Sequence, residues 1–117
     1  MNPKVVKKSK IEVEIGFDEK KIPIEIMWKT SDAPPNYPTQ EVKAFYLSLF
    51  DKPTQDTLKM DLWTTEMTVE EMDRFVFTTL GALTDTYFRA TNNRKLAEQM
   101  QNFVQHFGEA TQIIKKK

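Results

Sequence analysis

Hydrophobic and polar residues alternate through the first half of the chain and fall into a helical period in the second. From Ser9 to Phe17, Ile11, Val13, Ile15 and Phe17 share one face, with Lys10, Glu12 and Glu14 on the other. That alternation predicts a half-buried strand. Asp18 to Lys21 is a polar break of turn length. Ile22, Ile24, Ile26 and Trp28 then alternate with Pro23, Glu25 and Met27, so the two runs predict a hairpin. Pro23 has no N–H for a ladder, so its strand must begin near it or turn that position to an edge. Residues 30–40 (TSDAPPNYPTQ) hold three prolines and no periodicity, which predicts a connecting loop.

Residues 41–51 admit two readings. Val42, Phe45, Tyr46, Leu49 and Phe50 match helical spacing. As a strand, Phe45, Leu47 and Leu49 face one way and Tyr46, Ser48 and Phe50 the other. The aromatic content favours the strand. Asp51 to Asp56 reads as a turn. Thr57 to Trp63 alternates again, with Leu58, Met60 and Leu62 opposite Lys59 and Asp61, which gives a second hairpin. Trp63 falls on the charged side.

The period then changes. Thr68-Val69-Glu70-Glu71 is a capping box, and Met67 and Met72 occupy the positions of a hydrophobic staple. Met72, Phe75, Val76, Thr79, Leu80, Leu83 and Tyr87 form a helical stripe that Asn92-Asn93 ends. A second helix is expected from about Arg94, with Leu96, Met100, Phe103, Phe107 and Ala110 on its apolar side. Gly108 weakens its last turn, and the lysines from Lys115 to Lys117 suit the negative end of its dipole. Strands first and helices afterwards imply an α+β fold. The expected architecture is a four-stranded antiparallel sheet made of two hairpins, with two C-terminal helices packed on one face. We expect a single domain over residues 1–117, with a flexible segment at 1–8, the sheet at 9–63 and the helices at 68–114.

Composition changes this picture little. The chain has 117 residues, 39% hydrophobic and 29% charged, which fits one globular core. Seventeen basic residues offset seventeen acidic ones, so no net positive field argues for nucleic acid. There is no cysteine, which removes disulfides and thiolate chemistry and fits a reducing compartment. The start, MNPKVVKKSK, lacks the apolar core of a signal peptide, and no apolar run approaches the ~20 residues of a membrane span. These features make a cytoplasmic location the expectation.

Catalytic sets are sparse. His106 is the one histidine and sits beside the apolar stripe, so a partly exposed helix residue is the simpler reading than a base or metal ligand. Glu12 and Glu14, with Glu25 across the hairpin, could split their pKa values for acid–base work. Solvated carboxylates paired with lysines explain them more simply. Asp85 and Arg89 make a surface pair one helical turn apart. The three glycines are isolated, so no phosphate-cradling loop is present. No enzyme activity, cofactor or metal is expected. The sheet face away from the helices is the place where function is expected. There Met27, Tyr46, Phe50 and Trp63 form a candidate protein interface, since Trp and Tyr are favoured hot-spot residues. The simpler alternative folds Trp63 over the sheet edge.

The stretch MDLWTTEMTVEEMDRF also resembles a known family. Asp61-Leu62-Trp63-Thr64 ahead of the capped helix, then Asp85-Thr86 and Arg89-Ala90-Thr91, with Leu47-Ser48-Leu49-Phe50-Asp51 before them, is similar to GldC, a small gliding-motility-associated protein family of Bacteroidetes. Phe50 stands where the pattern has tryptophan, and the loop at Ala33 to Pro38 is richer in proline. The resemblance implies a cytoplasmic accessory of gliding motility, a process tied to secretion machinery, with no known enzymatic activity. The aromatic set around Trp63 makes the open sheet face and edges the expected contact with motility or secretion components or further copies of the chain. Four antiparallel strands followed by two helices is also the arrangement of the SecB secretion chaperone, a likeness of fold alone that makes a small export chaperone the second reading. A small-ligand-binding domain is the third, and the apolar inner positions disfavour it.

Overall fold

The computed structural model describes residues 2–115. Its elements in order are β1 (Ile11–Phe17), β2 (Pro23–Thr30), β3 (Gln40–Val42), β4 (Ala44–Phe50), β5 (Thr57–Trp63), α1 (Val69–Thr91) and α2 (Arg94–Ala110). The chain divides into two compact units, residues 1–67 with the strands and residues 68–117 with the helices. Met1, Lys116 and Lys117 lie outside the described residues, and with them part of the expected N-terminal segment and of the lysine tail.

Both predicted hairpins form, and residues 41–50 are extended on either side of a bend at Lys43. In the first hairpin β1 runs antiparallel to β2, with Ile15 opposite Ile26 and Val13 opposite Trp28. Asp18 builds its turn: the Asp18 carboxylate accepts from the Lys20 and Ile22 N–H groups, and Lys21 adopts a left-handed φ of 65°. Residues 2–10 form no helix or strand. Ser9 donates to Asp32 and the Lys10 N–H to Ser31, which fastens this segment beside the end of β2.

The expectation of one four-stranded sheet is corrected. The strands form a three-stranded sheet, β1-β2-β3, and a separate two-stranded sheet, β4-β5. The cause is a mismatch of lengths. The segment 40–50 pairs with β2 only over Gln40, Glu41 and Val42, and the last pair is Ile26 with Val42. Extending that register would reach Pro23 within a few residues, where the ladder loses its donor. The chain bends at Lys43, whose carbonyl instead accepts from the Thr64 N–H at 2.8 Å. On that register residues 46–50 outrun β2, and the strand from Ala44 pairs with β5 alone, from Ala44–Trp63 to Phe50–Thr57.

Ile15, Ile26 and Val42 make one row across the three-stranded sheet. The other face carries Glu12 opposite Lys29 and Glu14 opposite Met27. Ile26 is completely buried and, among the described residues of the strand unit, is the one apolar side chain that is.

In the helical unit, α1 starts at the expected capping box. The Glu71 N–H donates to the Thr68 hydroxyl at 3.1 Å, and the Thr68 N–H donates to the Glu71 carboxylate at 3.0 Å. Asn92 closes α1 in the left-handed conformation. Asn93 then caps α2, its side chain accepting from the Leu96 N–H at 3.1 Å. Ala97 and Val104 are the buried apolar residues of this unit. Thr68→Ala should lower the unit's stability by about 1 kcal/mol. Urea denaturation of the full chain followed by helical circular dichroism checks this, and an unchanged midpoint would rule it out.

Candidate protein-interaction surface

The β4–β5 hairpin gathers three of the four interface residues that the sequence pointed to. Direct cross-strand partners share a face, so Ala44 with Trp63, Tyr46 with Asp61, Ser48 with Lys59 and Phe50 with Thr57 make one side. On it Tyr46, Phe50 and Trp63 are 52%, 71% and 56% exposed. Met27 is not part of this set. It belongs to the other sheet, between Glu14 and Glu41.

The turn that holds the two strands in register is well braced. The Asp51 N–H donates to the Asp56 carbonyl at 2.8 Å, and Gln55 takes a left-handed φ of 60°. The Thr54 hydroxyl donates to the Asp51 carboxylate at 2.7 Å, with the Thr54 N–H at 3.2 Å. These two donors, the hydroxyl first, hold the Asp51 pKa below its ordinary value. Along the aromatic face Lys59 donates to Asp61 at 2.9 Å and stands 6.0 Å from the Tyr46 ring centroid. The hydrogen bond to Asp61 raises the Lys59 pKa, and the attraction between the charges adds to it. The face thus pairs aromatic rings with one internally neutralised ion pair, a composition suited to a protein partner.

Beside Trp63 lies a shallow apolar groove lined by Ile22, Pro23, Leu62, Trp63, Thr64 and Thr65, about 290 Å³ in volume. It sits at the small end of the roughly 300–1,000 Å³ typical of small-molecule sites. The Thr64 hydroxyl is buried there without a hydrogen-bond partner.

The opposite side of the hairpin is the part that sequence reasoning missed. Phe45 with Leu62, Leu47 with Met60 and Leu49 with Leu58 make three cross-strand pairs, all apolar. Leu47, Leu49, Leu58 and Met60 are 41%, 51%, 56% and 56% exposed. Alternation identified this side as apolar and so assigned it inward. Nothing in the pattern says whether a covering element exists.

The carboxylates of the first hairpin are surface ion-pair partners. Glu12 lies 2.7 Å from Lys10 and 3.3 Å from Lys29. The Lys10 hydrogen bond, followed by that from Lys29, holds the Glu12 pKa below its ordinary value. A general acid needs the opposite shift. His106 is exposed and stacks obliquely near Phe103, ring centroids 6.1 Å apart. Asp85 and Arg89 form the expected pair at 2.9 Å. Among the described residues there is no group of three or more metal-ligating side chains, and no helix is long and apolar enough to cross a membrane.

Against known families, the model of the GldC-like gliding motility-associated proteins matches residues 23–113. The chain belongs to the GldC-like family. The match begins at the first residue of β2 and takes in both hairpin strands β4 and β5, the DLWT stretch and both helices, while β1 lies outside it. Curated proteins and solved structures gave no match. The family's description names gliding motility, and the molecular task of this chain is argued below from its surface.

Proposed function

We propose that this chain is a non-enzymatic cytoplasmic accessory of gliding motility that works by protein–protein contact through its β4–β5 hairpin. The observation that carries this reading is the trio Tyr46, Phe50 and Trp63, exposed together on one face of a braced hairpin. Aromatic residues bury large areas at low entropic cost, so such a trio suits the centre of an interface. The match to the GldC-like family supports the process, and motility or secretion components are the natural partners to test.

Tyr46→Ala with Trp63→Ala should weaken capture of the partner by on the order of 2 kcal/mol, about thirtyfold in Kd. The check is affinity purification of the tagged chain from a gliding cell, followed by titration with the partner so found. Unchanged capture by a folded double variant would remove the reading.

An export chaperone is the second reading, favoured by the exposed aliphatic side of the same hairpin. Light scattering of an aggregating client separates the two, since an accessory that binds only one folded partner gives no protection.

A further inference from the structure

We propose that the aliphatic side of the β4–β5 hairpin is the seat of a second copy of this chain, so that the protein is a two-fold dimer joined through Leu47, Leu49, Leu58 and Met60. The proposal deepens the contact reading above and rests on it. It assigns one side of the hairpin to self-association and leaves the aromatic side for the motility partner.

Four observations converge on a second copy. First, this side holds no charge and no hydrogen-bonding side chain. A two-fold interface sets a patch against itself, and a purely apolar patch is complementary to itself without any matching of donors or signs. Interface cores are likewise depleted in charged residues.

Second, the area suffices. The exposed part of this side is on the order of 400 Å² per chain, by the usual size of leucine and methionine side chains. Two such patches apposed, at the ~65% apolar share of homodimer interfaces, correspond to roughly 1,200 Å² in total, the lower end of specific interfaces.

Third, the hairpin needs a neighbour. A two-stranded sheet alone is marginal in water, and three strands or a covering layer are required. Among the described residues, β4 and β5 pair only with each other, so a strand edge stands free beside the apolar side. A second copy's hairpin laid against the aliphatic side supplies such a layer.

Fourth, charge does not oppose the association. Seventeen basic residues balance seventeen acidic ones, so two copies meet without net repulsion. The charges of the strands themselves, Lys59 and Asp61, neutralise each other on the far side.

The test is the solution mass of the full chain by sedimentation equilibrium at micromolar concentration. The expected result is twice the 13.7 kDa chain mass. Leu49→Glu with Leu58→Lys keeps an attractive cross-strand pair inside the hairpin but places two charges in the interface, and should raise the dimer Kd roughly a hundredfold or more. Tyr46→Ala with Trp63→Ala should leave the mass at two chains while losing the partner, so failure of the dimer and failure of the contact reading are told apart. A monomeric wild type overturns the proposal. So does a folded L49E/L58K variant that keeps the doubled mass. If that variant does not fold, the cysteine-free chain allows a single nitroxide on Ser48→Cys, an exposed position of the aromatic side. Dipolar broadening between two labels, removed by excess unlabelled chain, is expected. A dimer without broadening overturns the assignment.

Discussion

Ile26→Ala should destabilise the strand unit by about 2–5 kcal/mol, the range for truncating a fully buried aliphatic residue. Such a loss is a large fraction of the 5–15 kcal/mol that typically holds a domain together. Ile26 stands at 0% exposure in the central strand of the three-stranded sheet, in one row with Ile15 and Val42. Each flanking strand contributes one residue to that row, so a cavity there loosens both ladders at once. Ile26→Val removes a single methylene and should cost only about 0.5–1.5 kcal/mol. Urea denaturation monitored by Trp28 and Trp63 fluorescence measures both. Equal midpoints for the two variants would show that the row is not the centre of the unit.

The second large effect is at Gly108, where the helical unit is tightest. A Cβ at that position would lie 2.6 Å from Ile114 Cδ1 and 2.7 Å from Phe77 Cε1. The chain turns back after α2, and the Ile114 N–H donates to the Gly108 carbonyl at 3.0 Å. Ile114 thereby lies over the glycine while the Phe77 ring approaches from α1. The end of an isoleucine can rotate away, whereas an aromatic ring packed between helices has to move with its helix. On helix propensity alone Gly108→Ala would gain about 1 kcal/mol. The clash should reverse the sign, giving a net loss of about 1–3 kcal/mol, and Gly108→Val should lose more. Thermal unfolding followed by helical circular dichroism reads the difference, and a raised Tm for the alanine variant would refute the close packing.

Much of the fold is legible in the residues themselves. The capping box at Thr68, the stop at Asn92 and the strand from Thr57 to Trp63 are local signals, and local geometry obeys them. Alternation also sorted the two faces of the second hairpin, and those of the first as far as the register shift at Gly16–Phe17. Strand neighbours were not legible. Pairing depends on how far one strand outruns another, and the overrun of residues 46–50 past Pro23 is a non-local matter of register. The same limit explains the interface. Tyr46, Phe50 and Trp63 could be grouped because alternation fixes their side, but Met27 could be placed with them only by assuming a continuous sheet. The aliphatic side was hidden for a different reason. A row of leucines that packs inside a chain and one that packs against another molecule have the same pattern. Gly108 likewise read as a helix weakener, because the sequence does not show that Phe77 and Ile114 converge on it.

The bend at Lys43 joins two ladders through a single unbroken backbone. The segment from Gln40 to Phe50 is held at one end by three pairs with β2 and, beyond the bend, carries the outer hairpin. A pull on that hairpin would reach Val42, the direct cross-strand partner of Ile26, which is the most tightly enclosed apolar residue described in the strand unit.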